Sequence, residues 1–520
     1  MPRFFATAAK GTEGALRDEL REARFRGVRA DRGGVHFEGP LSEGLRACLE
    51  LRIAVRVLLE LAREGALDER GVDVRFTYDI NDTLTFRSLT GYITGQNVDQ
   101  GDFGLFGASV NAIQVETESW SQEFQLLGDL DNFDWVLGLY YFKETPVETT
   151  HNRQLIVAGP NLGRCCSGFD RTIDLTTESL ALFGQATWRP TDQLGFTLGA
   201  RYTTDEKEAD VTKFGSYVPS VPNAFRSQSV ADSWSALDWR FTVDYQWTER
   251  LMTYFTASRG FKSGGFNGDI SVLPGPSYEV EPFDPEYVTN FEAGIRSEWF
   301  DRHLRVNATV FSMELEDLVV QFPDFTGGGL TLRFLNAGTV QLSGLETEIE
   351  WAPTRNFAIS FSGGYTDLEY DTLGDNSPLF RQGVGTCPLP PATRTFALCG
   401  ATAQPLTRTP ELTYTVGLSY DIPLPSGDIR TNLNYAYRDE IYSGNSTSNA
   451  IVLPDYGVAN LRIAYQSDSF WELALLGSNI FDETYYTAGF DGRGPNNPVA
   501  TRWLSPAPGA EWALTLTMRY

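Results

Sequence analysis

The sequence predicts an all-β chain: an antiparallel transmembrane β-barrel, preceded by a small N-terminal α/β segment of ferredoxin-like pattern. Three observations predict it. From Val72 onward apolar and polar residues alternate with period two, as in strands whose two faces meet different media. Short turns alternate regularly with long polar connections, the asymmetry of an outer-membrane barrel. Trp512, Leu514, Leu516, Met518 and Tyr520 alternate up to an aromatic end, in the manner of a barrel-insertion signal.

Composition sets the bounds. The 520 residues carry 42 Lys+Arg against 68 Asp+Glu, a net charge of −26, which argues against a nucleic-acid binder. Aromatics at 13% exclude a disordered chain, and 49 Gly with five Cys exclude collagen-like and disulfide-dense classes. Mean hydropathy is −0.25. No apolar run approaches the ~18 residues a membrane helix needs, so a helical membrane protein is excluded and a barrel is not. The charge is unevenly spread. Residues 1–75 hold 14 Lys/Arg and 13 Asp/Glu, so residues 76–520 carry −27, and all 22 Tyr and 11 Trp lie in the latter. The break divides the chain into a small α/β segment, 1–71, and a barrel, 72–520.

In the first segment, Arg3 to Ala9 reads as a strand. Thr12 caps a helix with Leu16 and Leu20 on one face, and Gly33-Gly34 turns into Val35-His36-Phe37. Ser42 caps a second helix carrying Leu45, Cys48 and Leu49. Val55, Val57, Leu59 and Leu61 then alternate as a strand. Phe4 to Ala9 is too short for the apolar region of a signal peptide, so none is visible.

In the second segment alternation is clear in Val72 to Ile80, Leu84 to Ile93, Leu194 to Thr203, Leu237 to Tyr245, Leu304 to Val310 and Phe357 to Tyr365. Short turns are expected at Asn81-Asp82, Asp129 to Asn132, Arg189 to Gln193, Gln246 to Glu249, Phe300-Asp301, Ala352 to Asn356 and Gln466 to Ser469. Long polar connections are expected at 94–118, 144–176, 204–232, 259–287, 316–339 and 370–409. Trp135, Tyr140, Tyr141, Trp188, Tyr202, Trp239, Tyr245, Trp247, Trp299 and Trp351 lie near strand ends, as in interfacial girdles. The count is about 17 strands: eight pairs joined by short turns and a final one.

Several strings resemble the TonB-dependent outer-membrane receptors: Gly199 to Thr203, Ser258 to Asn267, Pro285-Glu286 with Asn290 to Gly294, Asn336-Ala337-Gly338, Gly344-Leu345-Glu346, and Asn479 to Asp482 with Tyr485-Tyr486. The resemblance implies a non-enzymatic uptake receptor, without cofactor or metal, for an iron chelate or similar nutrient. Its partners are the outer membrane lipid, the barrel-assembly machinery and a small ligand held by extracellular loops. The family barrel has 22 strands and an N-terminal plug beginning with a TonB-contacting box. Plug, box and about five strands find no counterpart here, so TonB contact is not expected and the chain alone is expected not to perform energised uptake. An odd strand number leaves incomplete closure open. The first segment resembles the THUMP-associated start of 23S rRNA guanine methyltransferases through Phe5-Ala6, Ala9-Lys10-Gly11, Glu13, Glu19-Leu20, Gly34 to Phe37, Arg52 and Arg56. That implies the alternative reading, a fragment of an RNA-modifying enzyme with an RNA-contacting module. No glycine-rich cofactor loop or Asn-Pro-Pro-Tyr-type motif follows, and RNA is not expected as a partner.

Individual sites are few. Cys387 and Cys399 share one long connection and are candidates for a loop disulfide. His36, His151 and His303 have no metal-ligand spacing. Asp205, Glu206 and Glu208 read as a solvated acidic loop.

Overall fold

The computed structural model describes residues 3–7, 17, 20–21, 23–31, 34–38, 56–59, 68–102, 109–155, 165–216, 224–268, 279–324, 331–336, 338–373, 408–443, 451–491 and 502–518. The strands come in chain order. Four are short: β1 Arg3–Thr7, β2 Arg26–Asp31, β3 Gly34–Glu38 and β4 Arg56–Leu59. A long series begins with β5 Asp68–Asn81, β6 Leu84–Asp102, β7 Ser109–Leu130, β8 Phe133–Glu144, β9 Val147–Leu155 and β10 Cys165–Trp188. It continues through β11 Leu194–Ser216, β12 Ala224–Thr248, β13 Leu251–Lys262, β14 Gly265–Phe266, β15 Pro282–Phe283, β16 Glu286–Trp299 and β17 Leu304–Glu316. Next are β18 Val319–Asp324, β19 Thr331–Asn336, β20 Gly338–Thr354, β21 Phe357–Leu373, β22 Leu412–Leu424 and β23 Gly427–Arg438. The last are β24 Ile441–Ser443, β25 Ile451–Leu453, β26 Tyr456–Ser467, β27 Trp471–Ser478, β28 Tyr486–Asp491, β29 Arg502–Pro506 and β30 Glu511–Met518.

The large sheet omits β14, β15, β18, β19, β24, β25, β28 and β29, which pair off as four small hairpin sheets. Its strand order runs from β5 to β30 and returns to β5, the order of a closed barrel. Although the strand number is odd, the ring closes and the open edges that an odd count leaves possible are absent from the described sheet. β8 and β9 both pair with β7 and with β10, so they are two halves of one strand, interrupted at Thr145-Pro146. Proline has no N–H to give the ladder there, while Thr145 N still donates to Glu118 O (2.9 Å) and Leu175 N to Pro146 O (3.0 Å). Counted this way, the described residues contain the seventeen expected barrel strands.

The chain divides into two compact units: Met1–Thr77 with Arg87–Phe124 and Tyr141–Glu178, and Tyr78–Phe86 with Gln125–Tyr140 and Ser179–Tyr520. In the first, β1 lies between β3 and β4 in an antiparallel sheet of order β2-β3-β1-β4. Arg17, Leu20 and Arg21 are helical, as the capping pattern from Thr12 predicts. Leu20, Phe25 and Val35 are buried as its core. The second expected helix, from Ser42, lies outside the described residues.

The apolar face of the barrel sheet is legible by parity. Leu198, Tyr202, Leu237 and Phe241 share it on β11 and β12, and Leu198 is 62% exposed. Val72, Val74, Phe76, Tyr78 and Ile80 are likewise exposed along β5. Such a face is stable only against hydrocarbon. On β12 it runs from Trp247 up to Leu237, ten residue steps, which at about 3.3 Å each and about 40° of tilt spans roughly 25 Å, the height of a lipid-facing band. Trp188, Trp247, Trp299 and Trp351 are exposed near the short-turn ends, and Tyr202 and Tyr365 farther up. Tyr140 departs from the expected girdle. Its ring stacks with the Arg201 guanidinium (5.1 Å) on the polar face, because Leu137 and Leu139 take the apolar parity. Above the band that face turns polar: Lys143 Nζ meets Glu178 Oε1 at 2.6 Å.

All seven expected short turns are present, and an eighth, Pro425-Ser426, joins β22 to β23. The long connections are the main correction. Much of 94–118, 144–176 and 204–232 is strand: β11 and β12 stay in register through 22 successive pairs, from Leu194↔Tyr245 to Gly215↔Ala224, about 70 Å of ladder. Beyond lipid both faces meet water, so apolar alternation fades while backbone pairing persists.

Candidate functional site: the polar wall and its loop clamps

The polar face is built by the same registers. Opposite pairs on β11 and β12 are Arg201↔Asp238, Gly199↔Arg240, Thr197↔Thr242 and Gly195↔Asp244. Hydroxyls link the strands sideways: Thr187 to Thr197, Thr242 to Thr256, and Tyr254 to Thr309, each 2.9 Å. Farther round, Arg305 meets Glu350 (3.0 Å), Asn307 Nδ2 donates to Glu348 (3.3 Å), and Arg462 meets Glu472 (2.6 Å). Two glycines are required here by close neighbours: a Cβ at Gly138 would collide with the Phe183 ring, and one at Gly344 with the Tyr365 carbonyl and the Phe311 ring. A cavity of about 250 Å³ on this wall is lined by Arg302, His303, Arg305, Glu350, Ser360 and Ser419 among others. The wall thus offers spaced cations, carboxylates and hydroxyls to a polar solute. Among the described residues no three His, Cys, Asp or Glu side chains converge as a metal site.

Above the wall, the described parts of two connections, around β14–β15 and β18–β19, are held together by asparagine side chains. Asn267 is buried; its Oδ1 accepts from Phe334 N (2.6 Å), and its Nδ2 donates to Phe334 O (3.0 Å) and Glu281 O (3.4 Å). Asn336 Oδ1 accepts from Asp284 N (2.9 Å), and its Nδ2 donates to Asp284 O (2.9 Å) and Asp317 O (2.8 Å). Each amide imitates a strand partner, presenting both an acceptor and a donor to one residue's backbone. Gln228 does the same for Val280, with N→Oε1 2.8 Å and Nε2→O 3.2 Å. Lys207 donates to Gly264 O (2.6 Å) beside the Trp234 ring, and Trp234 meets Phe266 at 5.8 Å. Glu286 accepts from Val319 N (2.6 Å) and pairs with Lys262 (2.9 Å).

A second package joins β24, β25 and β28. Ile441, Ile451 and Leu453 are buried against Tyr486, and Ser443 Oγ bridges Gly489 N (3.0 Å) and O (3.2 Å). Asn479, at φ 48°, accepts from Glu483 N (2.9 Å) and donates to Glu483 O (2.8 Å) and Pro508 O (3.4 Å). Asn267, Asn336 and Asn479 all belong to strings singled out in the sequence, but their clamping role was not visible there.

Of the expected site residues, Trp512, Leu514, Leu516 and Met518 share the apolar face of β30 and are exposed, Leu514 by 69%. Tyr520, Cys387 and Cys399 lie outside the described residues. Asp205, Glu206 and Glu208 do not converge: Asp205 faces Trp234 across the ladder, while Glu206 and Glu208 are exposed on the other parity.

Residues 59–480 match the family described as TonB dependent receptor-like, beta-barrel, and residues 3–58 match the RlmL ferredoxin-like domain. The pesticin receptor of Yersinia pestis is 24% identical over 258 residues, 49% of this chain and 35% of that protein. The chain thus spans about a third of that relative's length. The ferric yersiniabactin uptake receptor FyuA from Yersinia pestis superposes with a TM-score of 0.67 at 17% identity, over 87% of this chain and 61% of that one. The siderophore receptor PiuA from Acinetobacter baumannii gives 0.64, also at 17% identity, over 87% and 64%. The N-terminal segment is 49% identical over 63 residues to ribosomal RNA large subunit methyltransferase K/L of Magnetococcus marinus, 12% of this chain and 9% of that protein. With 422 of its 520 residues inside the first match, the chain belongs to the TonB-dependent receptor β-barrel family.

Proposed function

We propose that the chain is an outer-membrane uptake barrel whose clamped outer loops capture a small metal chelate, an iron chelate foremost, and pass it along the polar wall. The reading rests on one observation above all: a sheet with an exposed apolar band on one face and spaced Arg, Glu, Asn and Ser on the other, topped by loops locked to one another. No covalent step is involved. Residues 72–520 form the barrel and residues 1–71 a separate segment of rRNA-methyltransferase type that takes no part in transport. Trp512, Leu514, Leu516, Met518 and Tyr520 serve insertion through the barrel-assembly machinery, and Cys387 with Cys399 close a loop disulfide. The family match covers the barrel, so this chain tested by itself is not expected to couple to TonB. The test is uptake in proteoliposomes carrying the full chain: passive entry of a ferric chelate is expected, unchanged by energised TonB. Accumulation against a gradient when TonB is supplied would overturn the missing-plug reading. Failure to fold into vesicles, read by absence of heat-modifiable gel mobility, would overturn the barrel reading. Salt-sensitive RNA binding by the full chain would favour the methyltransferase-type alternative.

A further inference from the structure

The short turns form one rim, stitched turn to turn by backbone hydrogen bonds. Thr83 O accepts from Asp129 N (2.9 Å), Asn132 O from Arg189 N (2.8 Å) and Gln193 O from Gln246 N (2.7 Å). The series continues with Arg250 O and Glu298 N (2.8 Å), His303 O and Ala352 N (2.7 Å), Asn356 O and Asp421 N (2.8 Å), and Ser426 O and Asp468 N (3.1 Å). β5 enters this rim at Asn81, whose Oδ1 accepts from Thr83 N (2.9 Å) and shapes the first turn. The strand therefore starts at the other end, on the side of the long connections. Asp68, Glu69 and Arg70 stand there, ahead of the lipid-facing Val72, Val74, Phe76, Tyr78 and Ile80. The tether to the preceding sheet is short. From Leu59, the end of β4, to Asp68 is nine residue steps, which fully extended span at most about 32 Å. From Asp68 to Asn81 is thirteen steps, about 43 Å of strand. Leu59 thus falls short of Asn81 even on a taut chain.

We propose that residues 1–59 are held on the long-connection side of the membrane, as a small domain displayed at the cell surface. Outer-membrane barrels keep their short turns on the periplasmic side, so the far end of β5 opens to the exterior. A path back through lipid is closed: residues 60–67 include Glu60, Arg63 and Glu64, and unpaired backbone is not tolerated in hydrocarbon. The sheet itself is made for water. Leu20, Phe25 and Val35 are its own buried core, while Arg21, Arg24 and Arg26 are exposed. Once the chain is inserted, the membrane separates this segment from cytoplasmic RNA and leaves it on the side where solute enters. The inference rests on the barrel reading above.

The experiment uses the full chain with its five native cysteines changed to serine, folded into phospholipid vesicles. New cysteines are introduced in pairs chosen from R21C, D192C in a short turn, and S227C near the long-connection end of β12. Intact vesicles receive a membrane-impermeant maleimide; detergent and a second maleimide of different mass follow. The mass of each chain then shows its two tags. Sites on opposite sides of the membrane carry one tag of each kind and sites on the same side carry two alike, whichever way a chain inserted. The 21/192 pair is expected to carry mixed tags and the 21/227 pair matched ones. Matched tags at 21/192 with mixed tags at 21/227 overturn the proposal. So does a position 21 closed to both reagents until urea is added, which means that the segment lodges in the lumen. Matched tags at 192/227 overturn the barrel reading instead. Should the R21C variants not fold, R26C on β2, also exposed, takes their place and is read in the same way.

Discussion

Replacing Asn267 by alanine isolates what one clamp contributes. The amide is the partner of both backbone groups of Phe334, accepting from its N–H at 2.6 Å and donating to its C=O at 3.0 Å. Alanine removes both partners and leaves the loop backbone of residues 331–336 held by its pairing with β18. An unsatisfied buried polar group costs about 1–3 kcal/mol. Phe334 lies partly open to water, which replaces part of the loss, so the two groups together cost about 2–4 kcal/mol. At about 1.4 kcal/mol per tenfold, the Phe334 amide should exchange with solvent roughly 30- to 700-fold faster. Hydrogen exchange on the folded chain reads this directly, with the amide of Leu198, inside the β11–β12 ladder, as an unchanged control. Asn267→Asp keeps the acceptor for Phe334 N–H and loses the donors, so its effect should fall between wild type and alanine. Exchange at Phe334 within a factor of about three of wild type in the alanine variant would refute the clamp, because so small a change is under 1 kcal/mol.

Three further predictions concern the wall. A Cβ at Gly477 would stand 2.6 Å from Trp512 Cζ3 and 2.7 Å from Ile480 Cγ2, so Gly477→Ala should cost about 1–3 kcal/mol in denaturant unfolding of the inserted chain; an unchanged midpoint would mean the indole relocates freely. Leu514→Arg puts a charge on the lipid face of β30 and should cost about 2–4 kcal/mol, whereas Thr515→Arg, one residue on and facing the polar side, should cost under about 1 kcal/mol; equal effects would invert the assignment of faces. Arg462→Met strands the mostly buried carboxylate of Glu472 and should cost about 1–3 kcal/mol, with a double-mutant cycle against Glu472→Gln recovering a positive coupling energy; additive losses would show that the pair contributes nothing.

The barrel was legible because lipid imposes a strict rule on every strand that crosses it. Val72 to Ile80 and Leu304 to Val310 had to alternate, and the short turns had to follow. The rule lapses above the lipid. Along β11 it even reverses: Glu206 and Glu208 take the parity of Leu198, while Ala209 and Val211 are buried on the other side. Apolar alternation alone therefore does not distinguish strand from loop over 204–232. Tyr140 was misplaced because adjacent Tyr140 and Tyr141 point to opposite faces, and proximity to a strand end does not choose between them. The clamps were illegible for another reason. Asn267 and Phe334 lie 67 residues apart, and nothing local to either marks the other.

The break at Pro146 works as a depth gauge. A missing N–H leaves a gap in the ladder that water fills at little cost, but in hydrocarbon an unmatched backbone group costs several kcal/mol. A strand interrupted by proline therefore has solvent at that height. Tyr141 lies five residues below on the same strand line, its ring against Trp120 at 5.4 Å. Between these two residues the wall passes from oil to water, a boundary fixed by the arithmetic of backbone donors and independent of any scale of side-chain hydrophobicity.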